Sequence, residues 1–565
     1  MSDLSLQYLI RIYEPNVENI KFRIARHVVK GRGLKNYLSI LLLLFIFGCS
    51  EDSLNTQNSK PKALADTIEI DLTNFNEIDS QTSVFISSVE IQNINPSLIK
   101  NIRFTIESQP GSVAQNISAV YPISELLKDN KTVIPIFGLY SDYLNSVIFD
   151  ITFIDNSVAT SVINIQTDEF IDPNNLEQNL TITRSAIADL IPFSFFVLKP
   201  KSDRPDLGFW SPIIMDIDGK IRWVRSKPSE EELIINPISR ATTFNDNKFI
   251  FLSEPNINNT EPSIIKYGLD GNYTVSTIFG ANYKLNNLYF SHHDIRYGKS
   301  GYLVELNVES ETDGYLMEQV VAEISDDGMV LNEFDFGQII SQHMLNNSDN
   351  PKNFVINPKD WFHSNSVLYD SSDNSLIVSS RENFIIKVGF DDKQIKWIFG
   401  DESKKWFTNF TSLRELSLKS QFIKPMGQHS LQKYDGNLMF FNNGTPSFLP
   451  ENTPAGASLS SSLLQMFNIE EDSAEEVWSY DANLLSPICS SVDKYFGKSD
   501  LDIFLLNYSS VDWVRGVNSG PNAKNRNIIQ IIDENKTLLF EMSIPTSNCW
   551  VSWNTDIIYL ENINF

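Results

Sequence analysis

Hairpins with an acidic or Asp-Gly turn recur along the later two thirds of the chain, and this repeat constrains the fold more than any other feature. Six of them lie at 215–223, 267–273, 324–330, 388–397, 467–472 and 531–538. Several are preceded by a more apolar hairpin, so that one unit holds four strands. A four-stranded unit that buries its faces only against its neighbours is typical of a β-propeller blade. We count six blades, and a divergent seventh stays open.

The region before the repeat has a different pattern. Between about residue 65 and residue 190, short segments that alternate or run apolar predict strands at the spacing of a small β-sandwich. The predicted fold class is therefore all-β, with an N-terminal β-sandwich domain at 65–190 and a six-bladed β-propeller at 191–565. The length of 565 residues suffices for both cores.

The amino terminus has the pattern of a targeting segment. Basic residues precede the apolar run 38–47, which is too short to span a membrane. The run ends in Gly-Cys and resembles the lipobox of bacterial lipoproteins, which predicts lipidation of Cys49. We expect a signal peptide at 1–49 with an overlong start, and a tether at 50–64. This predicts a lipid-anchored lipoprotein of a Gram-negative cell envelope, in the periplasm or at the outer-membrane surface; an ordinary cleaved signal is the alternative.

Charge and cysteine content narrow the function further. The net charge of −26 is spread along the chain, which argues against binding to nucleic acid. An anionic substrate must therefore be drawn in by a local cationic pocket. Apart from Cys49, the chain holds Cys489 and Cys549; in an oxidising compartment these form a bridge or stay as two buried thiols.

Histidines mark one end of the repeated units. The chain has six, and four stand where a unit opens: His292, His293, His363 and His429. A single strand histidine is more often structural. Three at the same place in three repeats predict a shared site, because the first strands of propeller blades converge on one mouth of the central channel.

The stretch 360–381 is the clearest of these units. His363 precedes its first strand and Arg381 follows its second. An antiparallel pair brings those two ends together, so we expect His363, Arg381 and the Asn365 amide to lie side by side. Imidazoles and a guanidinium without a nearby carboxylate cluster predict a pocket for a tetrahedral oxyanion.

Other chemistries fit less well. Three histidines can bind zinc or copper, but Arg381 would repel a cation and Asp294 is the only carboxylate adjacent in sequence, so we expect no metal. The chain lacks a Gly-x-Ser-x-Gly nucleophile elbow and the nucleotide-binding fingerprints, so we expect no cofactor. What remains is transfer of an anionic group through histidine, whose neutral nitrogen is both nucleophile and leaving group.

Four sequence phrases resemble the bacterial arylsulfate sulfotransferases. They are His-His-Asp-Ile at 292–295, Asp-Trp-Phe-His-Ser-Asn-Ser at 360–366 with Ser-Ser-Arg at 379–381, Gln-His at 428–429 with Asn-Asn-Gly at 442–444, and the hairpin 213–223. The resemblance spans roughly Ala65 to the carboxyl end. It implies a six-bladed propeller with an N-terminal β domain that moves a sulfuryl group from a phenolic sulfate donor to a phenolic acceptor without a nucleotide.

The resemblance also implies roles for individual residues. His429 would be the transiently sulfated nucleophile of a ping-pong mechanism. His363, Arg381 and His293 would hold the sulfuryl oxygens and manage the phenol proton, with Asn365 assisting.

Three points stay open at this stage. His293 is preferred over His292 because it aligns with His429, and His292 is kept as a substrate-binding candidate. The pair Cys489 and Cys549 does not look like a short-loop disulfide near the active site. The competing functions are a non-catalytic propeller lipoprotein that binds aryl anions and an aryl sulfate hydrolase that uses the same pocket.

Overall fold

The structure is a computed structural model that describes residues 62–75, 83–128, 131–172, 175–200, 211–225, 242–253, 262–282, 291–309, 316–357, 359–497, 501–517 and 524–565. The predicted signal peptide, Cys49 and nearly all of the predicted tether lie outside these residues. Regular structure in the described part is overwhelmingly strand. The prediction of an all-β fold is confirmed.

Two sheets pack face to face in the N-terminal region. One has the order β1-β2-β6-β5 and the other β34-β4-β3-β7-β8. Inward-facing residues alternate with outward ones along β7, which is the pattern of a strand with one buried face. The bounds are β1 (Asp71–Phe75), β2 (Ile86–Gln92), β3 (Ile99–Ile106), β4 (Ile117–Pro122), β5 (Leu127–Lys128), β6 (Lys131–Phe137), β7 (Leu144–Phe153), β8 (Val158–Gln166) and β34 (Ile563–Asn564).

Six further antiparallel sheets follow in the described residues, each with four or five strands. In chain order they are β33 (Thr555–Ile558) with β10 (Phe195–Leu198), β11 (Ile213–Asp216) and β12 (Ile221–Val224); β13 (Thr242–Asn245), β14 (Lys248–Ser253), β15 (Ser263–Gly268) and β16 (Tyr273–Thr277); β17 (Ser291–Tyr297), β18 (Tyr302–Glu309), β19 (Leu316–Ile324) and β20 (Val330–Asp335); β21 (Ser364–Asp370), β22 (Ser375–Ser380), β23 (Ile385–Gly389) and β24 (Ile395–Phe399); β25 (His429–Tyr434), β26 (Asn437–Asn442), β27 (Leu463–Ile469) and β28 (Ala474–Asp481); and β29 (Ser491–Phe496), β30 (Asp502–Val511), β31 (Asn525–Asp533), β32 (Leu538–Thr546) and β9 (Thr181–Arg184).

These sheets are arranged as propeller blades. The first strands of successive sheets contact one another in the order β13, β17, β21, β25, β29 and β33, so they line a common centre. Each acidic-turn hairpin predicted from the sequence joins the third and fourth strands of one sheet. The hairpin repeat is therefore confirmed, and the blade count of the whole chain stays a prediction.

Two short strands cross the boundary predicted at 190/191. β9 adds a fifth strand beside β32, and β34 pairs in parallel with β4. Arg222 joins the regions as well: its guanidinium donates to the Gly138 carbonyl and lies 3.5 Å from the Tyr140 ring centroid. The predicted domain bounds stay a prediction, but the two regions share strands and contacts.

Helices are few and short in the described residues. They are α1 (Leu176–Asn179), α2 (Phe336–Asn346), α3 (Lys405–Asn409) and α4 (Thr411–Arg414), with 3₁₀ turns at Leu64–Asp66, Pro96–Leu98, Ile123–Glu125, Ala188–Leu190 and Pro351–Asn353. Asp335 caps α2 by accepting from the backbone N–H groups of Gly337 and Gln338. None of the helices described here has the length and apolar character needed to cross a bilayer.

Candidate active site

Three histidines meet where the first strands of adjacent sheets begin. His293 lies in β17, His363 immediately precedes β21 and His429 opens β25. The His293 ring centroid lies 5.1 Å from that of His363 and 5.8 Å from that of His429. All three line one cavity of about 440 Å³ together with Arg381. The structure thus brings together the four residues that the sequence predicted as catalytic.

Each of the three strands departs from regular pairing beside its histidine. The register shifts between Ser291 and Ile295 in β17, between Ser364 and Ser366 in β21, and between His429 and Gln432 in β25. Such irregularities interrupt the alternation of side chains and re-aim one of them. Here they recur at the end of the strand that carries the imidazole, so the repeat positions three rings toward the same space.

The tautomer of His429 is set by its neighbours. Its Nδ1 lies 2.7 Å from the Asn443 side-chain oxygen and 3.1 Å from the Gly427 carbonyl oxygen. The Asn443 amide cannot turn round, because its nitrogen donates to the carbonyls of Ser486 and Cys489. Two acceptors at Nδ1 require the proton there, which leaves the lone pair on Nε2.

His429 is also held neutral. Burial lowers its pKa to about 3, and the positive charges of Arg381 and His363 act in the same direction, against the contact with Asn443. A neutral imidazole with an unprotonated Nε2 is the form that can attack an electrophile.

His363 has the opposite electrostatic surroundings. Its Nδ1 lies 2.5 Å from an Asp360 oxygen and 2.8 Å from a Glu318 oxygen. Burial alone would lower the pKa of His363, but these two carboxylates raise it well above the ordinary value. The side chain is therefore an imidazolium at neutral pH, held in a left-handed backbone conformation with a φ of 50°.

The expected absence of a carboxylate cluster is wrong. Asp360 and Glu318 flank His363, and Glu382 lines the cavity beside Arg381. Asp360 and Glu382 are close in sequence to His363 and Arg381, whereas Glu318 comes from β19 of the preceding sheet, which spacing in the sequence could not place. They bond to cationic side chains rather than to each other, which leaves the pocket able to accept an anion.

Arg381 is a buried cation at the end of β22. Its backbone N–H donates to the His363 carbonyl at 3.0 Å, which joins the two ends of the predicted hairpin. One guanidinium nitrogen donates to Glu382, and the group lies 3.4 Å from the Phe448 ring centroid. Its Nη2 is buried without a hydrogen-bond partner among the described residues. That nitrogen is a donor available to a bound anion.

His293 lies between the other two imidazoles and an aromatic wall. The Trp553 ring is 4.5 Å from it, centroid to centroid, and a Glu305 oxygen is 4.0 Å from its Nδ1. The residue is buried. Its position beside both the nucleophile candidate and the imidazolium suits a group that exchanges a proton with a bound substrate.

The rest of the cavity wall includes aromatic side chains and a disulfide bridge. Phe448, Trp513, Trp550 and Trp553 line it, as do both cysteines of the bridge. Cys489 and Cys549 form a disulfide that closes a loop of 60 residues. The prediction that the bridge does not close a short loop is confirmed. The prediction that it lies away from the site is wrong, because residues 488–489 and 548–550 line the same cavity wall.

The comparison with family models decides the family. The model described as Arylsulfotransferase (ASST) matches residues 173–554, and the Arylsulfotransferase Ig-like domain matches residues 88–168. The chain belongs to the arylsulfotransferase family. The resemblance inferred from the histidine phrases is therefore confirmed, and the protein is an aryl-sulfate sulfotransferase by family.

Comparisons with individual proteins add little. A search of curated proteins returned no match to this arylsulfotransferase. It is similar to the Myceliophteria thermophila Cps50 (Swd1) β-propeller domain at 9% identity over 64% of this chain and 88% of that chain, with a TM-score of 0.28. It is also similar to a DUF4221 family member from Bacteroides vulgatus at 8% identity over 66% and 88%, with a TM-score of 0.28. At such scores neither likeness supports an argument.

Of the other predicted site residues, only Asn365 has a side chain that the structure describes. Asn365 is buried next to the arylsulfotransferase cavity, and its amide nitrogen donates to the Gln428 carbonyl at 2.7 Å, so it braces the residue before His429. The side chain of His292 and all of Cys49 lie outside the described residues. Substrate binding by Asn365 and His292 stays a prediction.

One group of the described residues has ligand atoms close enough for a metal ion. The atoms of Glu318, Asp360 and His363 lie within 4.8 Å of one another. Without a cation the three side chains form an ion pair, in which Asp360 hydrogen-bonds to His363 Nδ1 and a Glu318 oxygen lies 2.8 Å from it. The absence of a metal stays a prediction.

Sequence reasoning missed several residues that shape the site. Asp360 stands three residues before His363, within the stretch 360–381, and Glu382 directly follows its last residue, Arg381. A carboxylate adjacent to a predicted cationic residue was the available signal. Glu318 and Trp553 had no such signal, because Glu318 meets His363 and Trp553 meets the cavity only through the packing of the folded chain.

Proposed function

We propose that the protein transfers a sulfuryl group from an aryl sulfate to a phenolic acceptor by a ping-pong mechanism through a sulfated His429. The arrangement around His429 carries this proposal: Nδ1–H donates to Asn443 and Gly427, and the lone pair of Nε2 belongs to a neutral ring in the cavity. Family membership supplies the reaction class.

In the first half-reaction Nε2 of His429 attacks the sulfur of the donor. A nitrogen–sulfur bond forms as the bond from sulfur to the phenolic oxygen breaks, and the phenolate leaves with the electron pair. The ring becomes cationic, and its Nδ1–H bonds to two oxygens stabilise that charge. In the second half-reaction the acceptor oxygen attacks the sulfur, and the electron pair returns to Nε2.

Fixed positive charge stabilises the sulfuryl oxygens in this scheme. Arg381 offers a buried N–H without a partner, and His363 is a cation because of Asp360 and Glu318. In the transition state, negative charge gathers on the nonbridging oxygens while the nucleophile and the leaving group lie in line with sulfur. Preorganised donors at those oxygens therefore stabilise the transition state.

The phenol proton is assigned to His293. The leaving phenolate must gain a proton and the acceptor phenol must lose one, so the same group can serve both half-reactions. His293 lies within ring contact of both His363 and His429 and against Trp553, where an aryl ring would stack.

The test uses para-nitrophenyl sulfate with and without excess phenol. We expect nitrophenolate release to depend on phenol and to vanish in His429→Ala. Rapid mixing with the donor alone should give a burst of about one nitrophenolate per active site, and mass spectrometry of the quenched protein should find one sulfuryl group on His429.

A matched control is His343→Ala. His343 lies on α2, where its Nε2 contacts the Ser412 carbonyl, and it does not line the cavity. This variant should keep the parental rate. Steady release without acceptor would indicate hydrolysis instead, and no release with any phenol would favour a binding protein.

A further inference from the structure

Arg515 places a second guanidinium at the cavity. It lies after β30 on an exposed segment, and it lines the same space as Arg381 and Phe448. Its Nη1 donates to the Phe448 carbonyl at 2.7 Å, and its Cζ lies 4.7 Å from the Phe448 ring centroid. One backbone bond and one ring contact therefore fix the head group of an otherwise exposed side chain.

Arg515 has no carboxylate partner in the described part of the chain. This sets it apart from Arg381, which pairs with Glu382, and from the nearby Arg526, which pairs with Asp512 at 2.8 Å. A guanidinium has five N–H donors, and the Phe448 carbonyl accepts from one nitrogen of Arg515. In a chain of net charge −26, an unneutralised cation at the cavity is a notable exception.

The charge of Arg515 acts on Arg381. Burial is the main cause that lowers the pKa of Arg381, and the positive charge of Arg515 lowers it further, against Glu382. Arg515 is therefore close enough to contribute positive charge to the cavity, where Arg381 already has its own carboxylate partner.

Both guanidinium groups contact one aromatic ring. Their carbons lie 3.4 Å (Arg381) and 4.7 Å (Arg515) from the centroid of the Phe448 ring. Trp513, whose ring centroid is 6.1 Å from that of Phe448, adds an apolar surface beside that ring. His429 and Arg515 line the same cavity, so a substrate ring bound there has both the candidate nucleophile and a second cation among its neighbours.

We propose that Arg515 binds an acidic substituent on the aryl substrate, so that the preferred acceptors and donors are phenols and phenyl sulfates that carry a carboxylate. This inference rests on the proposed function, because it assigns a substrate class to the same cavity. An ionised partner adds a charge-assisted hydrogen bond to a guanidinium that otherwise has no counter-charge.

The experiment compares two acceptors of nearly the same shape, the anionic 4-hydroxyphenylacetate and the neutral 4-hydroxyphenylacetamide, with para-nitrophenyl sulfate as donor. In the parent protein kcat/KM should be higher for the acid. Arg515→Gln should reduce the ratio of the two kcat/KM values about tenfold, while Arg515→Lys should keep part of it. The preference should also weaken as ionic strength rises, since the side chain is exposed.

Arg414→Gln is the matched control. Arg414 is likewise exposed, donates to the Phe407 carbonyl and stacks on the Phe407 ring, but it does not line the cavity. The acid-to-amide ratio should be parental in this variant. An unchanged ratio in Arg515→Gln, or an equal loss for both acceptors, would overturn the inference.

A binding measurement separates this inference from the proposed function. Titration of each phenol against the fluorescence of the cavity tryptophans reports affinity without turnover. Tighter binding of the acid than of the amide, lost in Arg515→Gln, supports the site even if transfer fails. Equal affinities in the parent would refute it even if transfer to the amide is fast.

Discussion

The charge on His363 depends on two carboxylates that no local sequence pattern joins. Asp360 belongs to the same loop and hydrogen-bonds to Nδ1, whereas Glu318 comes from β19 of the preceding sheet and places an oxygen 2.8 Å from Nδ1. His429, only one sheet away, is neutral because burial lowers its pKa, and its Nδ1 faces amide and carbonyl oxygens rather than carboxylates. Two histidines at equivalent repeat positions thus acquire opposite protonation states from their nearest neighbours.

Asp360→Asn should move the alkaline limb of the pH–rate profile to lower pH. The folded-state pKa of His363 is raised, so its cationic form is present at low pH and is lost as pH rises through that pKa. Removing one carboxylate lowers the pKa, and the loss of kcat/KM then begins earlier. The profile of para-nitrophenyl sulfate turnover, recorded for parent and variant with one acceptor, checks this.

The double variant Asp360→Asn, Glu318→Gln should shift the limb further than the single one. An alkaline limb that stays in place in both variants would show that a group other than His363 titrates there. Stability follows the same sign: the ion pair stabilises the fold below the ordinary histidine pKa, and that contribution is lost as pH rises through the raised one.

At the scale of elements, the site depends on loops that are held by a disulfide bridge as well as by the neighbouring strands. The disulfide ties the segment before β29 to the segment after β32, and the Cys489 carbonyl accepts from the same Asn443 amide that orients His429. The wall and the nucleophile are therefore mechanically connected. Trp550 and Trp553, two of the aromatic residues of the wall, closely follow Cys549 in one of these tied segments.

Cys489→Ser, Cys549→Ser should lose stability and substrate affinity together. A bridge closing 60 residues restricts the unfolded chain by about 4 kcal/mol, and the freed loops should raise KM for the donor more than they lower kcat. Denaturant unfolding and steady-state kinetics measure the two effects. Reductant should reproduce them in the parent and change nothing in the double variant; a parent insensitive to reductant, with both thiols proven free, would contradict the bridge.

At the scale of the whole molecule, the last strands close the structure. β33 supplies the first strand of the sheet that β10 to β12 begin, and β34 reaches back to β4 of the N-terminal region. The ring contacts of Phe565 with Tyr121 and Phe137 add to the second attachment. Closure by strands from opposite parts of the chain makes the sheets mutually dependent.

Deleting residues 555–565 should therefore destabilise the whole protein. The change removes β33 and leaves the edge of β10 and the faces of two neighbouring sheets exposed, so we expect a much lower Tm and rapid proteolysis. Deleting only 563–565 removes β34 and Phe565, and it should cost far less. Thermal unfolding and limited trypsin digestion of both truncated chains provide the comparison, and equal stability of the two would contradict it.

The sequence by itself determined the class of fold and the members of the central constellation. Acidic turns between apolar strands have a local cause, so each predicted hairpin was found between the third and fourth strands of a sheet. His363 and Arg381 could be paired because an antiparallel hairpin joins residues close in sequence. The histidine repeat then identified His293 and His429 as their neighbours.

Tertiary structure alone decided the charge states and the walls of the site. Trp553 and the two cysteines reach the cavity, and Glu318 reaches His363, from distant parts of the chain, and their meeting depends on how whole sheets pack. The protonation of His429 and His363 follows from burial and from partners 2.5–3.1 Å away. Electrostatic interactions at that range depend on three-dimensional distance and not on sequence separation, which is why spacing could name the imidazoles but not assign their charges.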